Sequence, residues 1–77
     1  MLIRMGSSGP IVRDVQEMLN VAVPLFPSLT LDGIFGPKTN ERVVAFQSQA
    51  KLVADGIVGP MTSKSLVGAV IKTLRFS

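Results

Sequence analysis

Two carboxylates, Asp14 and Glu17, stand three residues apart. On a helix that spacing puts both on one face, and a carboxylate pair is the machinery of glycosidic-bond cleavage. Neither has the apolar surroundings a general acid needs, so both read as solvated charges. Ser and Thr hydroxyls are present, but the chain has no His and no Cys. The usual general base, the usual zinc ligands and all thiol or disulfide chemistry are therefore missing. Three Gly-x-x-Gly-Pro segments occur, Gly6–Pro10, Gly33–Pro37 and Gly56–Pro60. They lack the Gly-Lys-Ser/Thr ending of a phosphate loop. Two of them are preceded by a single carboxylate, Asp32 or Asp55, where an EF-hand loop needs several. These residues imply no catalytic group, no cofactor and no metal.

The same segments organise the chain. Asp32-Gly33-Ile34-Phe35-Gly36-Pro37-Lys38-Thr39 returns as Asp55-Gly56-Ile57-Val58-Gly59-Pro60-Met61-Thr62, an offset of 55 − 32 = 23 residues. An apolar pattern of helical period follows each Gly-Pro, so three loop-plus-helix units are expected. Proline suits the first turn of a helix, and a glycine before it can take the angles of a tight turn. The first helix is predicted from Pro10 to about Val21, burying Ile11, Val15, Met18, Leu19 and Ala22, with Val12 at the border. The second is predicted from Pro37 to about Ala50, burying Val43, Phe46 and Ala50. Val44 or Gln47 flanks that stripe, and Lys38, Glu41, Arg42 and Gln49 face water. The third is predicted from Pro60 to about Leu74, with Leu66, Val67, Val70, Ile71 and Leu74 as its stripe. Phe76 and Ser77 are expected to fray.

In the loops, Ile34 and Ile57 are expected to plug the core, and Phe35 and Val58 to point elsewhere. Asp32, Gly33, Gly36 and Thr39, with Asp55, Gly56, Gly59 and Thr62, are expected to build the loops. An Asp before Gly commonly accepts backbone N–H bonds. Between the first helix and the first octapeptide, Pro24 and Pro27 forbid a regular helix. Leu25, Phe26 and Leu29 are expected to cap the core there; the alternative is a sticky patch for a ligand or partner.

The doubled octapeptide, with Val43 to Gln47 ending in Phe46-Gln47 between its copies, resembles the peptidoglycan-binding domain found beside bacterial cell-wall hydrolases. Arg4 to Gly9, then Val12, Val15, Gln16 and Leu19, is similar to that family's first helix. The likeness runs from about Leu2 to Leu66. It implies an all-α, compact three-helix fold, an extended lead-in beside the helices and no catalysis. It also implies a module that anchors a fused or partner hydrolase to peptidoglycan in the cell wall, periplasm or extracellular space, and the length makes residues 1–77 a single domain. Where the family often has a short glycine-containing turn, this chain has Val23 to Leu31. Where the family often has Gly after the second helix, this chain has Lys51.

At 77 residues the chain can bury only about 60–65% of its unfolded surface. Its formal charge of +3 comes from scattered residues with no dense basic run. That balance is compatible with an anionic polymer, although a solvated surface is the simpler reading. Nucleic acid binding ranks last for the same reason. No apolar run approaches a membrane span, and the N-terminus lacks the layout of a signal peptide. Three functions follow in order: a non-catalytic peptidoglycan-binding module, a protein–protein assembly module that reuses the fold, and a helical nucleic-acid binder. For the first, Phe35, Lys38 and Arg42 are the ligand-binding candidates, one ring and two cations at a helix N-terminus. The simpler alternative is two solvated cations and a half-buried Phe.

Overall fold

Each Gly-Pro step opens a helix. In the computed structural model, which describes residues 2–76 and the side chains of residues 2–74, α1 spans Pro10–Ala22, α2 Pro37–Gln49 and α3 Pro60–Phe76. The missing proline N–H is harmless, because a first-turn donor has no intrahelical partner. The carbonyls of Gly9, Gly36 and Gly59 accept the first helical bonds from the N–H groups of Arg13, Asn40 and Ser63. The helix bounds match the periodic apolar pattern to within two residues. Helix α3 continues through Phe76, where fraying was expected, while Ser77 and the side chain of Phe76 lie outside the described residues.

Helix α2 stops in a Schellman arrangement. The Leu52 N–H donates to Gln47 O at 2.8 Å and the Lys51 N–H to Ser48 O at 3.1 Å. That geometry demands left-handed angles at the residue after the cap, and Lys51 adopts them with φ 60°. Glycine would do so without the Cβ penalty of about 1–2 kcal/mol.

The lead-in is a strap. Ile3 pairs antiparallel with Val58 in the second octapeptide, exchanging bonds of 3.1 and 2.7 Å. Further along, the Phe35 N–H donates to Ser7 O at 3.0 Å and the Gly6 N–H to Phe35 O at 3.1 Å. The Gly9 N–H donates to Gly33 O at 2.9 Å. One lead-in, bent by a turn in which the Ser7 N–H donates to Arg4 O at 2.8 Å, thus ties both loops to the start of α1.

This strap decides which loop residues are inside. Phe35 is only 2% exposed, while Ile34 is 61% exposed. Val58 is buried and Ile57 only partly so. The expectation for these pairs was inverted, because neighbouring residues of an extended chain face opposite ways and pairing fixes the phase. The α1 stripe is also rotated. Val12, Val15, Gln16 and Leu19 are buried, and Ile11 is exposed. Of the expected α3 stripe only Leu66 is buried outright; Val70 is half-buried, and Val67, Ile71 and Leu74 are exposed. The core unites Val12, Val15, Leu19, Phe35, Val43, Phe46, Val58 and Leu66, closed by Val23 and Leu29. Helix α1 lies centrally, packed on both α2 and α3.

The inverted phase is testable. Phe35→Ala should destabilise the fold by about 3–5 kcal/mol, and Ile34→Ala by less than about 1 kcal/mol. Urea melts that ranked the two the other way would refute the placement.

Candidate functional site

The two octapeptides are built around one buried glutamine each. Gln16 Nε2 donates to Asp32 Oδ1 at 3.0 Å, Ile34 O at 3.1 Å and Thr39 Oγ1 at 3.1 Å. Its Oε1 accepts from the Gly33 N–H at 3.0 Å. Gln47 repeats the pattern on Asp55 Oδ1, Ile57 O and Thr62 Oγ1 at 3.0–3.1 Å, with Gly56 donating at 2.9 Å. Turning either amide over would set its NH₂ against a backbone N–H, so the network itself fixes the orientation. Each amide donates and accepts as a loop backbone requires, and no buried side-chain polar atom is left unpartnered among the described residues.

Each Asp closes its own turn as well. The Ile34 N–H donates to Asp32 Oδ1, and the Ile57 N–H to Asp55 Oδ1, both at 2.9 Å. The Ile34 N–H, then the Gln16 amide, hold the Asp32 carboxyl below its ordinary pKa. The left-handed angles fall on Gly33 and Gly56, with φ 72° and 75°. They do not fall on Gly36 or Gly59, the residues beside proline. A Cβ on Gly33 would come within 3.0 Å of Gly9 O, and one on Gly56 would strike Asn40 Oδ1. Both glycines are favoured by their angles, and at Gly33 the neighbouring backbone also leaves little room for a side chain.

Arg42 and Asn20 hold the segment between α1 and the first octapeptide. Arg42 Nη2 donates to Pro27 O at 2.8 Å, and Nη1 to Val23 O at 3.2 Å. Asn20 brackets Leu29, accepting from its N–H at 2.8 Å and donating to its carbonyl at 3.1 Å. Leu29 is buried, while Leu25 and Phe26 are exposed. The core-capping expectation therefore holds for Leu29 and fails for Leu25 and Phe26. Beside this segment runs an open groove of ≈ 920 Å³, bordered among others by Phe26, Ile34, Lys38, Glu41 and Arg42.

The expected surface trio does not assemble. Phe35 is in the core, and Arg42 is only 8% exposed, its guanidinium turned to backbone carbonyls. A planar fork of donors suits such carbonyls, which is why a cation expected in water lies inside. Only Lys38 of the three presents its side chain to solvent. Two residues not singled out as site residues matter more. Gln16 and Gln47 are polar positions within apolar helical stripes, each paired with a downstream Asp-Gly, and that juxtaposition was the available signal. Phe26 carried no such signal, because nothing local distinguishes a capping ring from a bare one. Among the described residues no cluster of three or more His, Cys, Asp or Glu could hold a metal ion, and no helix is long and apolar enough to cross a membrane.

The three-helix fold is shared with known proteins. Residues 8–66 match the family described as putative peptidoglycan binding domain. The chain belongs to the peptidoglycan-binding domain family. Among solved structures, the SleB N-terminal domain superposes with a TM-score of 0.82 at 33% identity, covering 91% of this chain and 93% of that one. A fused Zn-dependent amidase/peptidase/peptidoglycan-binding protein from Clostridium acetobutylicum gives 0.78 at 35% identity, over 86% of this chain. A peptidoglycan-binding protein from Clostridioides difficile, solved with glutamine hydroxamate, gives 0.76 at 42% identity, again over 86%. The matches span only 28% and 40% of those last two chains. No curated protein matches the sequence. Membership covers both octapeptides but does not extend to a site residue, since none of these comparisons locates a ligand on this chain.

Two measurements test the loop chemistry. Gln47→Met keeps the volume and removes the amide, stranding the Gly56 N–H; it should cost at least about 1–3 kcal/mol in chemical denaturation. Asp32 has a lowered folded-state pKa, so its contribution is complete above its unfolded pKa of about 3.9 and is lost as pH falls through the lower folded value. Thermal melts of wild type should therefore decline on the acid side of that range, and Asp32→Asn should flatten this decline. Equal acid slopes would remove Asp32 from the account.

Proposed function

We propose that this chain is a non-catalytic module that binds bacterial peptidoglycan. The family match across both octapeptides is the observation that supports this most directly. The groove beside α2 is the place with suitable character. It is open, apolar at Phe26 and Ile34, and polar at Lys38 and Glu41. Such a shallow site gives weak, reversible attachment rather than enclosure. The proposed work is anchoring. The relative from Clostridium acetobutylicum joins a similar unit to an amidase/peptidase, and a linked or partner enzyme held to the wall would gain local substrate concentration. The corresponding location is the cell wall, whether periplasmic or extracellular. Asp32, Asp55 and their loop partners are proposed as builders of the fold, with Lys38 retained at the groove edge as a ligand contact.

A second reading has one observation in its favour. Val67 and Ile71 lie four apart on α3 and are both exposed, which suits an assembly surface for another protein.

Co-sedimentation with purified sacculi decides between them. The chain should pellet with sacculi, remain in solution with duplex DNA, and release no soluble muropeptide on long incubation. Failure to pellet under low-salt conditions, with the fold intact, would overturn the binding reading and leave the assembly surface as the one to pursue.

A further inference from the structure

Among the described residues the most exposed large hydrophobic is Phe26, at 97% exposure. Its backbone is not correspondingly loose. Arg42 Nη2 grips the adjacent Pro27 carbonyl at 2.8 Å, and Asn20 takes both backbone groups of Leu29. The Leu29 side chain is itself buried. The bare ring is thus displayed from a segment held immediately behind it, and a contact displayed in this way loses less conformational freedom on binding.

The surroundings of the ring restrict what can sit on it. Around the groove Lys38, Asp32 and Glu41 are exposed, whereas the Arg42 guanidinium is turned to backbone carbonyls, so a ligand there faces two carboxylates and one cation. Hydroxyls of Ser28 and Thr30 complete the same border. An anionic ligand would meet like charge more often than opposite charge there. A neutral ring rich in hydroxyl and amide groups would find donors and acceptors at its edge. Its C–H face would meet the negative face of the Phe ring, the polarity that aromatic contacts favour.

From this we infer that Phe26 is the platform on which an amino-sugar ring of the glycan strand stacks, with Lys38, Glu41, Ser28 and Thr30 as its polar rim. The inference rests on the peptidoglycan-binding reading and deepens it, because it selects the glycan over the stem peptide. Phe35 and Phe46 are not equivalent choices, since both are in the core.

The test compares wild type, Phe26→Ala and Phe26→Trp on intact sacculi, on the soluble glycan strands that an amidase releases from them, and on soluble β-1,4-linked N-acetylglucosamine oligomers. Wild type should pellet with intact sacculi, bind the released strands, and show oligomer-induced NMR shifts at Ser28, Thr30 and Lys38. Phe26→Ala should weaken binding to sacculi and to strands about tenfold, a loss of roughly one aromatic contact. Its melting temperature should not change, because the ring buries almost nothing. Phe26→Trp should restore binding. Unchanged retention of Phe26→Ala would overturn the platform while leaving the peptidoglycan reading intact. Binding to intact sacculi but to neither the released glycan strands nor the neutral oligomers would overturn the glycan assignment in favour of the stem peptide. If wild type bound none of these, the broader reading would fail, and this inference with it.

Discussion

Everything in this fold depends on two buried primary amides meeting two short loops. A loop must run its backbone donors and acceptors somewhere, and inside a protein an unpaired one costs as much as several ordinary hydrogen bonds return. Gln16 and Gln47 answer that need with one side chain each. Every amide contacts a glycine N–H, an isoleucine carbonyl, an aspartate and a threonine hydroxyl. The carbonyl contact explains why the residue has to be an amide: a carboxylate could not donate to it, and a Lys could not accept from the glycine. The clasp joins the helix that carries the glutamine to the first turn of the helix that follows, so loop and packing form together.

From that constraint the rest of the architecture follows. With the octapeptides fixed on helix faces, their extended middles are free to pair with a strand-like partner, and residues 3–9 supply it. The pairing turns Phe35 and Val58 inward, where they join Val12, Val15 and Leu66. A chain with no disulfide among its residues and a small core relies on this double attachment. Ordinary surface electrostatics contribute little by comparison. The Arg13–Glu17 pair, at 3.8 Å with both side chains more than half exposed, adds at most a few tenths of a kcal/mol, of the order usual for an exposed helical pair.

The same economy bears on function. Residues used to build the loops are not available to a ligand, and this removes most of the polar side chains of both octapeptides. What remains exposed in them is Ile34, Pro37 and Lys38 in the first copy and Pro60 and Met61 in the second. The segment between α1 and the first octapeptide gives the first copy an added wall, absent from the second. The repeats are therefore alike in their internal chemistry and unlike at their surfaces. A shared clasp with divergent exteriors is how one scaffold keeps a stable fold while its contacts vary.

By itself the sequence determined the helices and their starts. Pro10, Pro37 and Pro60 fix φ and forgo a donor that no helix would use, and the helical period carries on from there without outside help. It also carried the family, because the doubled Asp-Gly-Ile-x-Gly-Pro-x-Thr is a local pattern spelled in the order in which it acts. Only the tertiary structure decided the phase of Ile34 against Phe35, the interior place of Arg42, and the bareness of Phe26. Each depends on a partner distant along the chain: Ser7 for Phe35, Val23 and Pro27 for Arg42, and Asn20 with Arg42 for the segment bearing Phe26. Alternation along an extended stretch leaves two phases equally good until another segment pairs with it. A guanidinium reads as a surface charge until carbonyls from another element converge on it. Local pattern specifies what an element is; which of its sides meets water is settled by what packs against it.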